Sequence, residues 1–289
     1  MKTLQIALGS IAGLALATLL GAWAPAGQGQ VASRTVAYDQ VKLQVLDQGH
    51  GPVIVMIPSL GRGAADFDDL AARVQAAGWR VLRLQPRGVG ESTGPMTGVT
   101  MLDLATDVAE TIKASGATQA VVLGHDDGNR IARATAAYYP GLVSAVVLVG
   151  AGGKVPPDAE ARAALGAVFD PSLSPDQHLK DVATAFFAPG HDPAVWRGGW
   201  YAATAKMEGV AGGSVPVSAW WTAGTAPLLV VQGNQDRIAP PANADLLKAD
   251  VGARAEVHHI DGAGHALLPE QPQKLADIVI GYLKRRPQA

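Results

Sequence analysis

The chain contains no cysteine, which excludes disulfides, thiol catalysis and a lipid-modified cysteine anchor. Charge is sparse: charged residues make up 17%, the formal net charge is −2, and no run of like charge occurs. There is therefore no basic footprint for a nucleic acid. Metal is not indicated either. His258 and His259 are neighbours in a strand-like run, so their side chains point to opposite faces and cannot share one ion. Aromatic residues are few, at 5%, and four of the six tryptophans (Trp196, Trp200, Trp220, Trp221) fall between residues 151 and 224. Apolar side chains, by contrast, make up 48% of 289 residues, enough for one large domain with a sizeable core.

The first residues differ from the rest. Lys2 precedes an apolar stretch from Leu4 to Leu20, and small residues follow through Ala26. That layout predicts a signal peptide over residues 1–26, with Ala24-Pro25-Ala26 satisfying the A-x-A rule for cleavage after Ala26. Gln5, Ser10 and several glycines make the stretch a poor membrane anchor. The expected location is periplasmic or secreted, with membrane contact only through this segment if it stays uncleaved.

From Val53 to Val149 short apolar runs alternate with helical stretches. The runs are Val53 to Ile57, Val81 to Leu84, Ala120 to Leu123 and Val143 to Val149; the helices expected are Phe67 to Ala77, Met101 to Ala114 and Asn129 to Tyr139. Such alternation predicts an α/β fold with a parallel sheet covered by helices. Residues 151–224 break the rhythm and read as a cap inserted after the sixth strand, dividing a core of residues 27–150 and 225–289. The pattern resumes at Leu228 to Gln232 and Ala255 to Ile260 and closes with a helix from Gln271 to Arg286.

The sharpest local signal is Gly124-His125-Asp126-Asp127-Gly128, between an apolar run and a helix. The spacing fits a nucleophile elbow, a turn so tight that the flanking positions leave little room for side chains. Its tip carries a carboxylate, which with an ordinary pKa near ~4 is already an anion at neutral pH and needs no activating base. Downstream, Asp236 closely follows the run ending at Gln232, and His265 ends the glycine-rich Asp261-Gly262-Ala263-Gly264. The order nucleophile, acid, histidine matches α/β-hydrolases and differs from chymotrypsin and subtilisin.

With Arg87-Gly88-Val89-Gly90-Glu91-Ser92 and Gly233-Asn234-Gln235-Asp236, these motifs make the chain resemble an α/β-hydrolase over roughly residues 35 to 286. The Gly-His-Asp elbow is similar to the branch of epoxide hydrolases and of haloacid and haloalkane dehalogenases. The resemblance implies Asp126 as nucleophile, His265 as base and Asp236 as its orienting acid, with no cofactor or metal and a small-molecule substrate. It also implies a covalent aspartyl ester, formed from an epoxide, a halogenated acid or a related electrophile and hydrolysed by a His-activated water. The family's His-Gly pair after the third strand is replaced by Pro58-Ser59, so an oxyanion donor is expected at the backbone N–H near Ser59 or Leu60. The Asp127 amide is a second expected donor, while its side chain need not reach the site. Arg130 stands where haloacid dehalogenases hold the substrate carboxylate; the adjacent arginine of that branch is Asp127 here. The branch's two cap tyrosines are reduced to Tyr201. A second class stays open, in which the fold is kept and the chemistry lost or altered, leaving a binding protein; an esterase-like hydrolase, with Asp126 as base on water, is a third.

Overall fold

The structure, a computed structural model, describes residues 29–286. The expected signal segment, residues 1–26, lies outside the described residues. Eight strands form one sheet: β1 (Val31–Tyr38), β2 (Val41–Gln48), β3 (Val53–Ile57), β4 (Arg80–Leu84), β5 (Ala120–His125), β6 (Val143–Val149), β7 (Leu228–Gly233) and β8 (Ala255–Ile260). Their order is β1-β2-β4-β3-β5-β6-β7-β8. β1 and β2 pair antiparallel, as do β2 and β4, and every other pairing is parallel.

The helices are α1 (Asp68–Ala76), α2 (Met101–Ala114), α3 (Asp127–Tyr138), α4 (Ala159–Ala167), α5 (Pro175–Phe186), α6 (Ala202–Gly212), α7 (Ala242–Val251), α8 (Leu267–Glu270) and α9 (Pro272–Lys284). The central strands bury both faces, which is why they read as unbroken apolar runs. In β3, Val53, Val55 and Ile57 join the layer containing Met101, Val108 and Ile112 of α2, whereas Ile54 and Met56 join the layer containing Leu70 and Val74 of α1 and Leu275 and Val279 of α9. Among the described residues no helix is long and apolar enough to cross a membrane.

Two regions depart from the sequence expectations. β1 and β2 were not anticipated, because they alternate buried and exposed positions and carry polar residues on the open face. An interior bidentate pair secures β2: Arg80 of β4 donates to both carboxylate oxygens of the fully buried Asp47 at 3.0 and 2.9 Å. The helix expected from Phe67 begins instead as a 3-10 turn over Ala64–Phe67, followed by α1.

Between β6 and β7 the chain inserts α4, α5 and α6. Their start signals are ordinary ones: the Asp158 carboxylate accepts from the amides of Glu160 and Ala161, and Ser174 caps α5 with Pro175 in its first turn. The insert meets the loops at the carboxyl ends of the strands. The Phe186 carbonyl accepts from the amides of His265 and Ala266, and the Tyr201 amide donates to the Gly61 carbonyl.

Candidate active site

In an open parallel sheet the carboxyl ends of the strands are where side chains from distant sequence positions converge. Ser59 and Leu60 follow β3, Asp126 follows β5, Asp236 follows β7 and His265 follows β8.

Asp126 has φ 54° and ψ −116°, a conformation seldom taken by a non-glycine residue. The two glycines permit it. A Cβ on Gly124 would lie 2.1 Å from the Gly128 carbonyl oxygen, and one on Gly128 would lie 2.3 Å from that of Ile57 and 2.5 Å from that of Pro58. The elbow is thus pressed directly against the end of β3, which brings the Ser59-Leu60 loop to the carboxylate.

Asp126 Oδ2 accepts from Ser59 Oγ at 2.7 Å and from the Leu60 amide at 3.2 Å. Its Oδ1 lies 3.2 Å from His265 Nε2, an ion-pair contact not aligned as a hydrogen bond. On the other side of the ring, His265 Nδ1 is 2.8 Å from Asp236 Oδ2. Asp236 is itself fixed: Oδ1 accepts from the amides of Ile238 and Ala239 at 2.9 and 2.7 Å, and Oδ2 from Gln232 Nε2 at 3.0 Å. Only the Asp126 side chain keeps some exposure, 12%, whereas those of His265 and Asp236 have none.

Burial works against charging His265, but the flanking Asp236 and Asp126 carboxylates outweigh it and push the imidazole up to about 10. Burial likewise works against ionising Asp126, yet the His265 cation holds its carboxyl well below the usual range. The pairing thus favours the charged imidazole beside an Asp126 anion. His125 is buried behind the elbow with Nε2 2.8 Å from the His265 carbonyl oxygen, and burial lowers it to about 4, so its ring stays neutral.

Asp127 opens α3 directly after the elbow tip. Its side chain is buried, with Oδ1 3.6 Å from Arg130 Nη1 and Oδ2 lacking a hydrogen-bond partner among the described residues. Burial raises its carboxyl to about 6, against the opposing charge of Arg130. Glu208, not anticipated from sequence, is buried on the inner face of α6 and its Oε2 accepts from the Gly61 amide at 2.7 Å. A detectable signal existed, since Glu208 lies four residues after Thr204 on a helix otherwise rich in small and apolar residues.

The tryptophans divide. The Arg62 guanidinium lies in the corner between the nearly perpendicular Trp196 and Trp200 rings, 4.4 Å from each, and the Trp196 ring lies 6.0 Å from that of His125. Trp220 and Trp221 instead stack on Arg133 in the core layer beneath. Among the described residues no group of three or more His, Cys, Asp or Glu could hold a metal ion.

The α/β-hydrolase fold family model matches residues 52–176. The chain is 34% identical over 241 residues to a monoacylglycerol lipase of Mycolicibacterium smegmatis, covering 77% of this chain and 84% of the relative. It is 29% identical over 108 residues to bifunctional epoxide hydrolase 2 of Sus scrofa, covering 37% of this chain and 20% of that one. Among solved structures, an esterase from Exiguobacterium antarcticum superposes with a TM-score of 0.75 at 22% identity, over 86% of this chain and 98% of the esterase. Similarity of this extent, on a mostly parallel eight-stranded sheet with its polar residues gathered at the strand ends, makes the chain a member of the α/β-hydrolase fold family and an α/β-fold hydrolase.

Proposed function

We propose that this hydrolase works through an aspartyl ester on Asp126, formed from an epoxide, a halogenated acid or a related small electrophile. The observation that carries the reading is the two-sided setting of the Asp126 carboxylate. One oxygen faces His265 while the other is held by Leu60 N and Ser59 Oγ.

In the first step Asp126 Oδ1 attacks carbon in line with the departing group, and the carboxylate charge disappears into the ester. His265 then loses one of the two anions that hold its proton, so it becomes able to accept one from water. In the second step that water attacks the Asp126 acyl carbon, and charge develops on Oδ2, where the Leu60 amide and the Ser59 hydroxyl already stand. Asp236 keeps the imidazole in the orientation the step needs. The Asp127 amide joins the oxyanion donors, Arg130 lies beside the substrate, and residues 151–224 act as a cap that limits water. Neither metal nor cofactor has a place in this scheme. The apolar leader over residues 1–26 supports export to the periplasm or beyond.

Trapping tests the reading. His265→Gln, incubated with epoxides, halogenated acids and activated esters, is expected to gain the mass of one substrate, with the adduct mapping to Asp126. A variant that stays unlabelled by compounds the wild type turns over would refute it.

A further inference from the structure

The ester-forming step needs a second proton source when the departing atom is oxygen. In-line displacement puts that oxygen on the far side of the attacked carbon from Asp126 Oδ1, and so away from His265, which contacts Oδ1 itself. The insert, which packs on the loops at the strand ends, is the element that can supply the acid. Its only tyrosine, Tyr201, is 38% exposed and lies over Gly63 at the surface.

Glu208 is the group that fits. It is 3% exposed, and the amide of Gly61 that holds it follows directly on the Leu60 amide that holds Asp126. Consecutive amides of one loop therefore grip the two carboxyls. On its other side α6 faces α3: a Cβ on Gly212 would lie 3.7 Å from Arg130 Nη1 and 3.8 Å from Asp127 Oδ1. There the buried Asp127 Oδ2 stands without a hydrogen-bond partner among the described residues.

We propose that Glu208 is the acid that protonates the leaving oxygen, and that the site is consequently built for a neutral epoxide rather than a halogenated acid. The proposal rests on Asp126 as the attacking group. A substrate carboxylate would have to enter beside Glu208 and Asp127, and Arg130, 39% exposed, is already drawn to Asp127. Burial, and then the charges of Asp127, Asp126 and Asp107, raise Glu208 well above the usual carboxyl range against the pull of the Gly61 amide, which favours the protonated form.

The protons balance. Asp126 Oδ1 bonds to the epoxide carbon, the C–O bond breaks, and the freed oxygen takes the Glu208 proton. The His265 proton, released once Asp126 is esterified, restores Glu208 through solvent. Water then gives one proton to His265 and adds to the acyl carbon. On collapse its other proton passes from the Asp126 carboxyl to the departing alkoxide, and the product is a diol.

The test follows ester formation by intact mass in the His265→Gln background, with styrene oxide, 1,2-epoxyhexane and cyclohexene oxide against 2-bromopropanoate and 1-bromobutane. Adding Glu208→Gln, which preserves an acceptor for Gly61, should slow epoxide labelling by about 100-fold or more. Labelling by any bromide accepted should hold its rate, since bromide leaves without a proton. Equal epoxide rates with and without Glu208 would overturn the proposal and leave Asp126 standing. Labelling of His265→Gln by 2-bromopropanoate and by none of the epoxides would do the same, whereas labelling by nothing would sink both ideas. Should Glu208→Gln fail to fold, Asp127→Asn serves: it removes a facing charge, so the pH at which epoxide labelling declines should fall. An unmoved limit would contradict the role of Glu208.

Discussion

Asp126→Asn should lower turnover by about 10⁴-fold or more while the protein keeps a cooperative unfolding transition. The loss is chemical in origin. Asparagine still offers a side-chain oxygen to Leu60 N and Ser59 Oγ, and it is among the residues most tolerant of positive φ, so the elbow's φ of 54° remains accessible. What disappears is the anion that attacks carbon and holds the proton on His265. Steady-state rates and thermal unfolding of the purified variant check both halves. Activity retained to within tenfold would mean that the reaction does not pass through this carboxylate.

Gly128→Ala should cost about 3 kcal/mol or more of stability, or prevent folding outright. The added Cβ would stand 2.3 and 2.5 Å from two consecutive backbone carbonyl oxygens, those of Ile57 and Pro58. Neither can swing aside as a flexible side chain would, because Ile57 belongs to the central strand β3, paired on both edges. The same clash would drive the elbow from the Ser59-Leu60 loop, so any folded fraction should also be inactive. Gly166 provides the control. It sits in α4, and a Cβ there meets nothing within 4 Å. Gly166→Ala is expected to be neutral or to stabilise by up to ~1 kcal/mol. Urea unfolding of the two variants separates steric exclusion at the elbow from a general intolerance of alanine for glycine.

Gly124 and Gly128 were legible in the sequence through their spacing about Asp126. The central parallel strands announced themselves, since strands buried on both faces must be continuously apolar: β3 and β6 match their expected limits. The edge strand β8 also matches, though it carries polar residues and is buried only at its ends. Asp126, Asp236 and His265 could be singled out because each stands just after such a strand or in a glycine-rich loop, where few other residues compete, and the structure brings the three within contact.

The residues that escaped did so for definite reasons. β1 and β2 lie at the sheet's antiparallel end, where half of each strand is wet and polar residues blur the pattern. The Asp127 side chain was not required to reach the site, because neighbours on a helix diverge by about 100°. The first turn of α3 instead meets α6 near Gly212, which buries the Asp127 side chain while Arg130 stays part-exposed. Glu208 could be seen as an acid among small residues, but what makes it matter is the Gly61 amide, and that contact spans 147 positions of chain. Ser59 was expected to contribute through its backbone; its hydroxyl, 2.7 Å from Asp126, adds a donor that the loop's composition alone does not announce.

The central claim, an ester on Asp126, is tested most directly by the origin of the product's new oxygen. A single turnover of excess wild-type enzyme in ¹⁸O-labelled water, with any substrate it accepts, should release a first product whose new oxygen is unlabelled, because that atom comes from Asp126 Oδ1. The label should appear in the peptide containing Asp126. A labelled first product over an unlabelled Asp126 would contradict the account, since water would then have attacked the substrate itself with Asp126 serving only as a base.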